Sequence, residues 1–193
     1  MGKTGWIVIA VIVIAAFMSV SKYNGMVGME EGVTAQWANV ESQYQRRADL
    51  IPNLVNTVKG YAAHESEVLE SVTKARAEAT SVKIDASNLT AENMQKFQAA
   101  QGAMTSSLSR LLAVAERYPD LKANQNFLEL QAQLEGTENR IAVERRRFNE
   151  VVMGYNTYIR RFPNNFIAGM FGFEKQASFE ADAGTEKAPE VTF

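Results

Sequence analysis

Residues 6–20, WIVIAVIVIAAFMSV, decide how the rest of this chain is organised. The stretch carries no charged side chain, and the hydroxyl of Ser19 is its main polar group. In a helix such a stretch is about 22 Å long, shorter than the bilayer hydrocarbon core of about 30 Å. The following turn continues the apolar character through Met26, and Lys22 can extend its charged end to the surface. The pattern predicts one membrane-spanning helix over residues 5–27.

A cleaved signal peptide is the alternative interpretation of this stretch. Lys3 gives a basic start, residues 7–17 an apolar middle, and residues 19–21 a small-x-small cleavage pattern. Because this cleavage pattern is weak, we expect the helix to stay in place as an anchor.

The charges that flank the span bear on its orientation. Lys3 and the terminal amine lie on one side, and Lys22 lies on the other. Glu30 and Glu31 follow Lys22, but acidic residues count for little in the positive-inside rule. This balance leans towards a cytoplasmic amino terminus and a domain outside the cytoplasm, which is periplasmic if the membrane is a bacterial inner membrane.

Composition restricts the kind of domain that the anchor can carry. The remaining chain is long enough for one domain with its own core. The net charge of the whole chain, -2, gives no broad basic field for nucleic acid, and the lack of cysteine leaves the redox compartment open. Only four prolines occur, in a sequence rich in Ala, Glu, Gln, Leu and Arg, which predicts an all-α fold.

Four stretches of this domain show apolar side chains at alternating spacings of three and four residues. They cover residues 33–51, 54–79, 94–118 and 127–162, and the last two keep a heptad spacing typical of a coiled-coil seam. Such seams must bury one another, and short loops make successive helices antiparallel. The chain is therefore expected to be an anchor (1–27), an elongated antiparallel helical bundle (28–175) and a tail (176–193).

Two points along the first stretch are expected to interrupt it. Gly25, Gly28 and Gly32 favour a flexible juncture between anchor and domain, although Gly28 and Gly32 also have the spacing of a close helix–helix contact. Pro52 is expected to kink or restart the helix, with Asp49 available as a cap.

The chain changes character after Pro163. Residues 166–173 are apolar, and three placements are open: closing the end of the bundle, which we favour, then docking on a neighbouring copy, then lying on a bilayer surface. The tail is small and acidic with a few apolar side chains, so it needs the bundle or a neighbouring copy to become ordered.

Several short motifs are spread along the chain. They include YNG (23–25), Trp37, QRRADLIPNLV (45–55), ENRIA (138–142) and FGF (171–173). Together they resemble the LemA family over essentially the whole chain, the anchor included. The resemblance implies an inner-membrane protein with one amino-terminal span and an antiparallel helical domain, and no agreed activity. It also implies links to membrane organisation and to a membrane metalloprotease, and one family description places the domain in the cytoplasm.

The residues needed for catalysis or metal binding do not form a recognisable pattern. The one histidine, His64, is expected on the second helix, and neighbouring Glu65 and Glu67 do not complete a metal signature. No Glu-x-x-His pair, phosphate loop or Gly-x-Ser-x-Gly elbow is present. We therefore assign no catalytic, cofactor-binding or metal-binding residue, and expect neither enzyme activity nor a cofactor.

Two charged clusters remain. One contains Arg46, Arg47 and Asp49, and the other lies within residues 138–147 and is rich in arginine. They can form an anion or peptide site or a contact between subunits if the first and fourth helices are neighbours. We favour the interpretation that both clusters lie on solvated helix faces, because exposed ion pairs contribute only about 0–1 kcal/mol to stability.

These patterns predict a membrane-anchored, non-enzymatic protein that forms homo-oligomers and organises or protects the bacterial envelope. Its partners are expected to be the lipid bilayer and other copies, with no nucleic acid. The alternative is an adaptor for a membrane protease or signalling partner.

Overall fold

The computed structural model describes residues 2–86 and 88–180 of the protein. These ranges contain six helices and no β-strand, which confirms the all-α prediction. The helices are α1 (Lys3–Lys59), α2 (Ser66–Ser81), α3 (Ala91–Ala115), α4 (Pro119–Lys122), α5 (Gln125–Arg160) and α6 (Asn164–Phe171).

The anchor and the first bundle helix are one continuous helix. α1 has 57 residues and passes through all three glycines of the expected flexible juncture, so that prediction is wrong. Met26 and Val33 lie on either side of Gly28 and are fully buried, at 0% and 1% exposure. Their burial offsets the helix weakening of about 1 kcal/mol that each glycine brings.

The expected restart of the helix at Pro52 is also absent. Pro52 lies inside α1 and cannot donate to the carbonyl of Ala48 one turn earlier. Nε of Arg76 in α2 donates to that carbonyl at 2.7 Å instead. Asp49 is not a cap; its Oδ1 accepts a bond from Nε2 of Gln45 at 2.8 Å.

The second predicted helix begins later than its apolar pattern suggests. Leu54 and Val58 belong to the end of α1, and residues 60–65 form the connection to α2. Tyr61, which falls in this connection, is 44% exposed and is not a seam residue. The turn at Gly60 ends the helix, so the pattern of 54–79 is divided between two antiparallel helices.

Contacts between long helices establish their directions. Three side-chain contacts join α1 to α5: Glu30 to Tyr155, Gln36 to Glu144, and Arg47 to Glu138. As the residue number increases along α1, the number of the contacted residue in α5 decreases. In the second pair, side chains of α3 reach back to α2, from Gln101 to Ala79 and from Arg110 to Ser71. Both pairs are therefore antiparallel.

The two heptad seams are buried with few exceptions. In α3 every predicted seam residue from Met94 to Ala115 is buried, and only Tyr118, beyond the helix end, is partly exposed. In α5 the seam is buried except for the partly exposed Leu130. Phe162 lies beyond the end of α5 and is 80% exposed, so its predicted place in the seam is wrong.

Candidate functional site

The first functional feature is the amino-terminal part of α1, which the rest of the described chain leaves uncovered. None of its most apolar 18-residue window is buried, and Ile7, Ile12 and Phe17 are 62%, 61% and 76% exposed. By length and composition this helix can cross a membrane. Apolar side chains exposed over that length are stable only in an apolar surrounding.

The base of the span meets the bundle where α5 and α6 adjoin. The ring of Tyr23 lies 4.9 Å from that of Phe171 and 5.6 Å from that of Phe173. Two residues further along the helix, Gly25 leaves room for Tyr158: a Cβ there would lie 2.5 Å from the tyrosine oxygen. Residues 164–173 thus close the end of the bundle that is nearest the span, the first of the three expected placements.

The arginine of the first charged cluster is buried, contrary to the favoured prediction of a solvated face. Arg47 is 2% exposed, whereas its neighbour Arg46 is exposed. The guanidinium of Arg47 donates to Oε1 of Glu138 at 2.7 Å and to Oε1 of Gln101 at 2.6 Å, and also to Thr105 at 3.0 Å. Gln101 in turn donates to the carbonyl of Ala79 at 3.3 Å. This polar network joins α1, α2, α3 and α5.

A groove of about 460 Å³ opens beside this network, between α3 and α5. Arg47, Glu138 and Arg145 give its walls charge, and Gln101 and Thr105 give them neutral polar groups. Such a groove can accept an extended polar segment, but among the described residues it has no arrangement of nucleophile and base.

The first residues of the tail pack along α5 in extended form. Asn156 accepts a bond from the backbone N–H of Gln176 at 3.0 Å and donates to its carbonyl at 2.8 Å. Asn149 does the same for Phe179, at 2.9 Å and 3.0 Å. Seven residues of α5 rise about 10 Å, as do three residues of extended chain, so the two amide pairs match in spacing.

Phe179 inserts into an aromatic cluster of the core. Its ring lies 5.9 Å from Trp37, 6.4 Å from Phe97 and 5.5 Å from Phe148, and its own exposure is 5%. The tail therefore packs on the chain's own bundle as far as residue 180. Predictions for residues 181–193 lie outside the described part of the chain.

The charged residues of α5 other than Glu138 lie mostly on the surface. Glu144 accepts bonds from Arg147 at 2.8 Å and from Gln36 of α1 at 2.7 Å. His64 lies in the exposed connection before α2, so its expected place on the second helix is wrong. Among the described residues no group of three or more His, Cys, Asp or Glu side chains is arranged to hold a metal ion.

Sequence reasoning missed Asn149 and Asn156 as the residues that bind the tail, and Arg76 as the partner of the Ala48 carbonyl. The two asparagines carried a usable signal, because they are seven apart on α5 and each follows a buried aromatic residue of the seam. Arg76 carried none, since nothing in its local sequence shows which carbonyl lies opposite.

Within residues 2–86 and 88–180, one helix is long and apolar enough to cross a membrane. That helix and the antiparallel bundle define a class: a helical membrane protein with an amino-terminal span. Residues 36–193 match the LemA family, and the chain belongs to that family. It is 28% identical to magnetosome protein MamQ 2 of Paramagnetospirillum magneticum, over 90% of this chain and 71% of that protein. It is 28% identical to MamQ of Magnetospirillum gryphiswaldense, over 91% of this chain and 72% of that protein. It is also similar to protein LemA of Metamycoplasma hominis, at 22% identity over 86% of this chain and 72% of that protein.

Proposed function

We propose that this protein is a non-enzymatic scaffold of the bacterial inner membrane that self-assembles and organises or protects the envelope. The observation that carries this proposal is the continuity of α1, which passes from the exposed apolar span into the bundle core as one helix. A continuous helix transmits the position of the bundle to the membrane without a flexible linker. Similarity to two proteins named for the magnetosome supports a role in organising membranes.

Self-assembly is supported by apolar side chains on the outer face of α5. Val143 and Met153, in the half of α5 nearer the span, are 41% and 65% exposed. At 3.6 residues per turn they lie within an arc of about 80° on one side of that helix. We propose that this part of α5 contacts a second copy, since burying such side chains is favourable.

Particle mass after extraction in mild detergent tests this proposal. We expect particles several times heavier than the 21.4 kDa chain, and lighter particles when Val143→Glu and Met153→Glu are combined. The control Lys74→Glu changes the net charge by the same amount, at a residue with 79% side-chain exposure on α2. A wild-type monomer that leaves the shape and integrity of reconstituted vesicles unchanged would contradict the proposal.

We further propose that the bundle lies on the periplasmic side, as the flanking charges of the span favour. The chain has no cysteine, so Leu128→Cys introduces a single reactive thiol far from the span. A membrane-impermeant maleimide is expected to label it in intact cells. Labelling that requires opened cells would place the bundle in the cytoplasm.

The groove beside Arg47 favours a second function, that of an adaptor for a membrane protease or signalling partner. Its mixed charge, from Arg47, Arg145 and Glu138, suits an extended peptide of another protein. Purification from membranes separates the two functions. A foreign protein recovered in a fixed ratio, and lost with Ser106→Arg at an exposed position of the groove wall, supports the adaptor, whereas recovery of self-assemblies alone supports the scaffold.

A further inference from the structure

We propose that α6 is a second membrane contact, lying in the interface of the bilayer that holds the span. This inference rests on the proposed anchoring of the chain by α1. It adds a surface by which the bundle itself, and not only the span, binds lipid.

The apolar side chains of α6 divide between two faces. Asn164 and Ala168 are 3% and 4% exposed and pack against the bundle. The opposite face is uncovered and almost wholly apolar. Its exposed apolar side chains are Phe166 (66%) and Met170 (77%), joined by Phe162 (80%) just before the helix. Phe162, Phe166 and Met170 are four residues apart, and the first two rings are in contact at 6.0 Å.

The height of this face relative to the span is fixed by Tyr23. The ring of Tyr23 contacts Phe171 at 4.9 Å. Tyr23 follows the apolar run by three residues, which is about 4.5 Å along a helix. A crossing of about 20 residues that begins at Trp6 ends near Gly25. The helix α6, which Phe171 holds against Tyr23, therefore lies at the level where the hydrocarbon core gives way to the headgroups.

The charges around this face suit lipid phosphates. Arg160 and Arg161 precede α6 and are exposed, and residues 158–173 contain no acidic side chain. Nζ of Lys22 lies 5.9 Å from the centre of the Tyr158 ring, on the same side of the bundle end. Basic side chains beside an exposed apolar helix are typical of interfacial membrane binding.

Continuity with the span selects the bilayer as the occupant of this face. The span and α6 form adjoining apolar surfaces that meet at Tyr23 and Phe171, and the span requires lipid at that height. A second copy would have to displace that lipid to reach the same face.

Spin-label accessibility in the full-length protein, reconstituted in phosphatidylethanolamine–phosphatidylglycerol vesicles, tests this inference. The labels are placed singly at Val13→Cys in the span, at Phe166→Cys and Met170→Cys in α6, and at Leu128→Cys as an exposed apolar control. Leu128 is about 48 Å from the end of α5 along the helix. Access of two relaxation reagents to each spin label is measured. Oxygen concentrates in lipid, whereas a water-soluble nickel chelate is excluded from lipid. Unchanged helicity by circular dichroism shows that each variant folds.

We expect labels at 166 and 170 to report a depth of about 5–10 Å below the phosphates, with 128 in water and 13 deeper. Nickel accessibility at 166 and 170 equal to that at 128 would overturn the inference. Low accessibility to both reagents would also overturn it, because a second copy would then cover the face. If the label at 13 is itself accessible to nickel, the anchoring fails and the proposed function fails with it.

Discussion

Arg47 shows how this bundle holds a charge in its interior. The side chain is almost fully buried, and its ion-pair partner Glu138 is 39% exposed. An ion pair with one partner in the interior gains little net stability, because removing the guanidinium from water costs nearly as much as its attraction to the carboxylate returns. Its effect is to set register, since the donors of Arg47 fit α3 and α5 in one alignment.

Replacing Arg47 by alanine should therefore destabilise the bundle strongly. We expect Arg47→Ala to lower the free energy of unfolding by about 2–4 kcal/mol, because the buried Gln101 loses its hydrogen-bond partner and Glu138 loses its counter-ion. The adjacent Arg46 is exposed, and Arg46→Ala should change stability by less than about 0.5 kcal/mol. Denaturant unfolding of the detergent-solubilised chain measures both, and equal effects would argue against the interior role.

Tyr155 gives the stability of the bundle a dependence on alkaline pH. Its burial, and after that the carboxylate of Glu30, raise the pKa of Tyr155 to about 12. Its pKa in the unfolded chain is about 10, so the folded state holds the proton more tightly. The resulting stabilisation is complete below pH 10 and is lost as pH rises to 12.

In that range we expect the free energy of unfolding to fall by up to about 1.4 kcal/mol per pH unit through this group. Tyr155→Phe should remove that part of the slope, and all other ionisable side chains are common to the two proteins. Identical slopes from pH 10 to 11 would contradict the assignment.

At the scale of elements, α1 tolerates its proline because another helix satisfies the freed carbonyl. The carbonyl of Ala48 is buried with its residue, at 1% exposure, and Arg76 of α2 supplies the bond that Pro52 cannot. The helix is thus continuous only because of a tertiary contact.

A double-mutant cycle tests this explanation. Arg76→Ala should cost about 1–3 kcal/mol in the wild type, because it leaves a buried carbonyl unsatisfied. In a Pro52→Ala background the restored N–H serves that carbonyl, so Arg76→Ala should cost less by at least about 1 kcal/mol. Additive effects of the two substitutions would refute the compensation.

The attachment of the tail to α5 depends on two asparagine side chains. We expect Asn149→Ala or Asn156→Ala to lower stability by about 1–3 kcal/mol, since each removes two hydrogen bonds. The backbone amides of Gln176 and Phe179 should then exchange with deuterium faster. Asn126→Ala, an exposed asparagine of the same helix, is the control and should leave their exchange unchanged. Protection of these amides in both asparagine variants would show that Phe179 alone holds the tail.

At the scale of the whole molecule, the continuity of α1 predicts that the span and the bundle move as one rigid body. Spin labels at Val20→Cys and Arg46→Cys should give a single narrow distance distribution near about 39 Å, the rise of 26 residues. A pair at Ala38→Cys and Lys59→Cys, within the bundle, should be equally narrow near about 32 Å. A broad distribution for the first pair alone would restore the flexible glycine juncture.

The sequence by itself determined the features that depend on local chemistry and period. The uncharged run at 6–20 indicated the span, and the seams of α3 and α5 indicated the buried faces of those helices, because side-chain direction follows the helical repeat.

Only the tertiary structure decided the features that depend on a partner distant in sequence. Gly28 and Pro52 weaken an isolated helix, yet burial against α5 and a bond from Arg76 keep α1 continuous. Arg47 resembles Arg46 in the sequence, and only the neighbouring Gln101 and Glu138 distinguish the buried arginine from the exposed one. The proposed membrane contact of α6 depends on tertiary structure in the same way, because packing against Tyr23 fixes its height beside the span. Helical period tells which side chains share a face, but the free energy of that face depends on the groups that lie opposite.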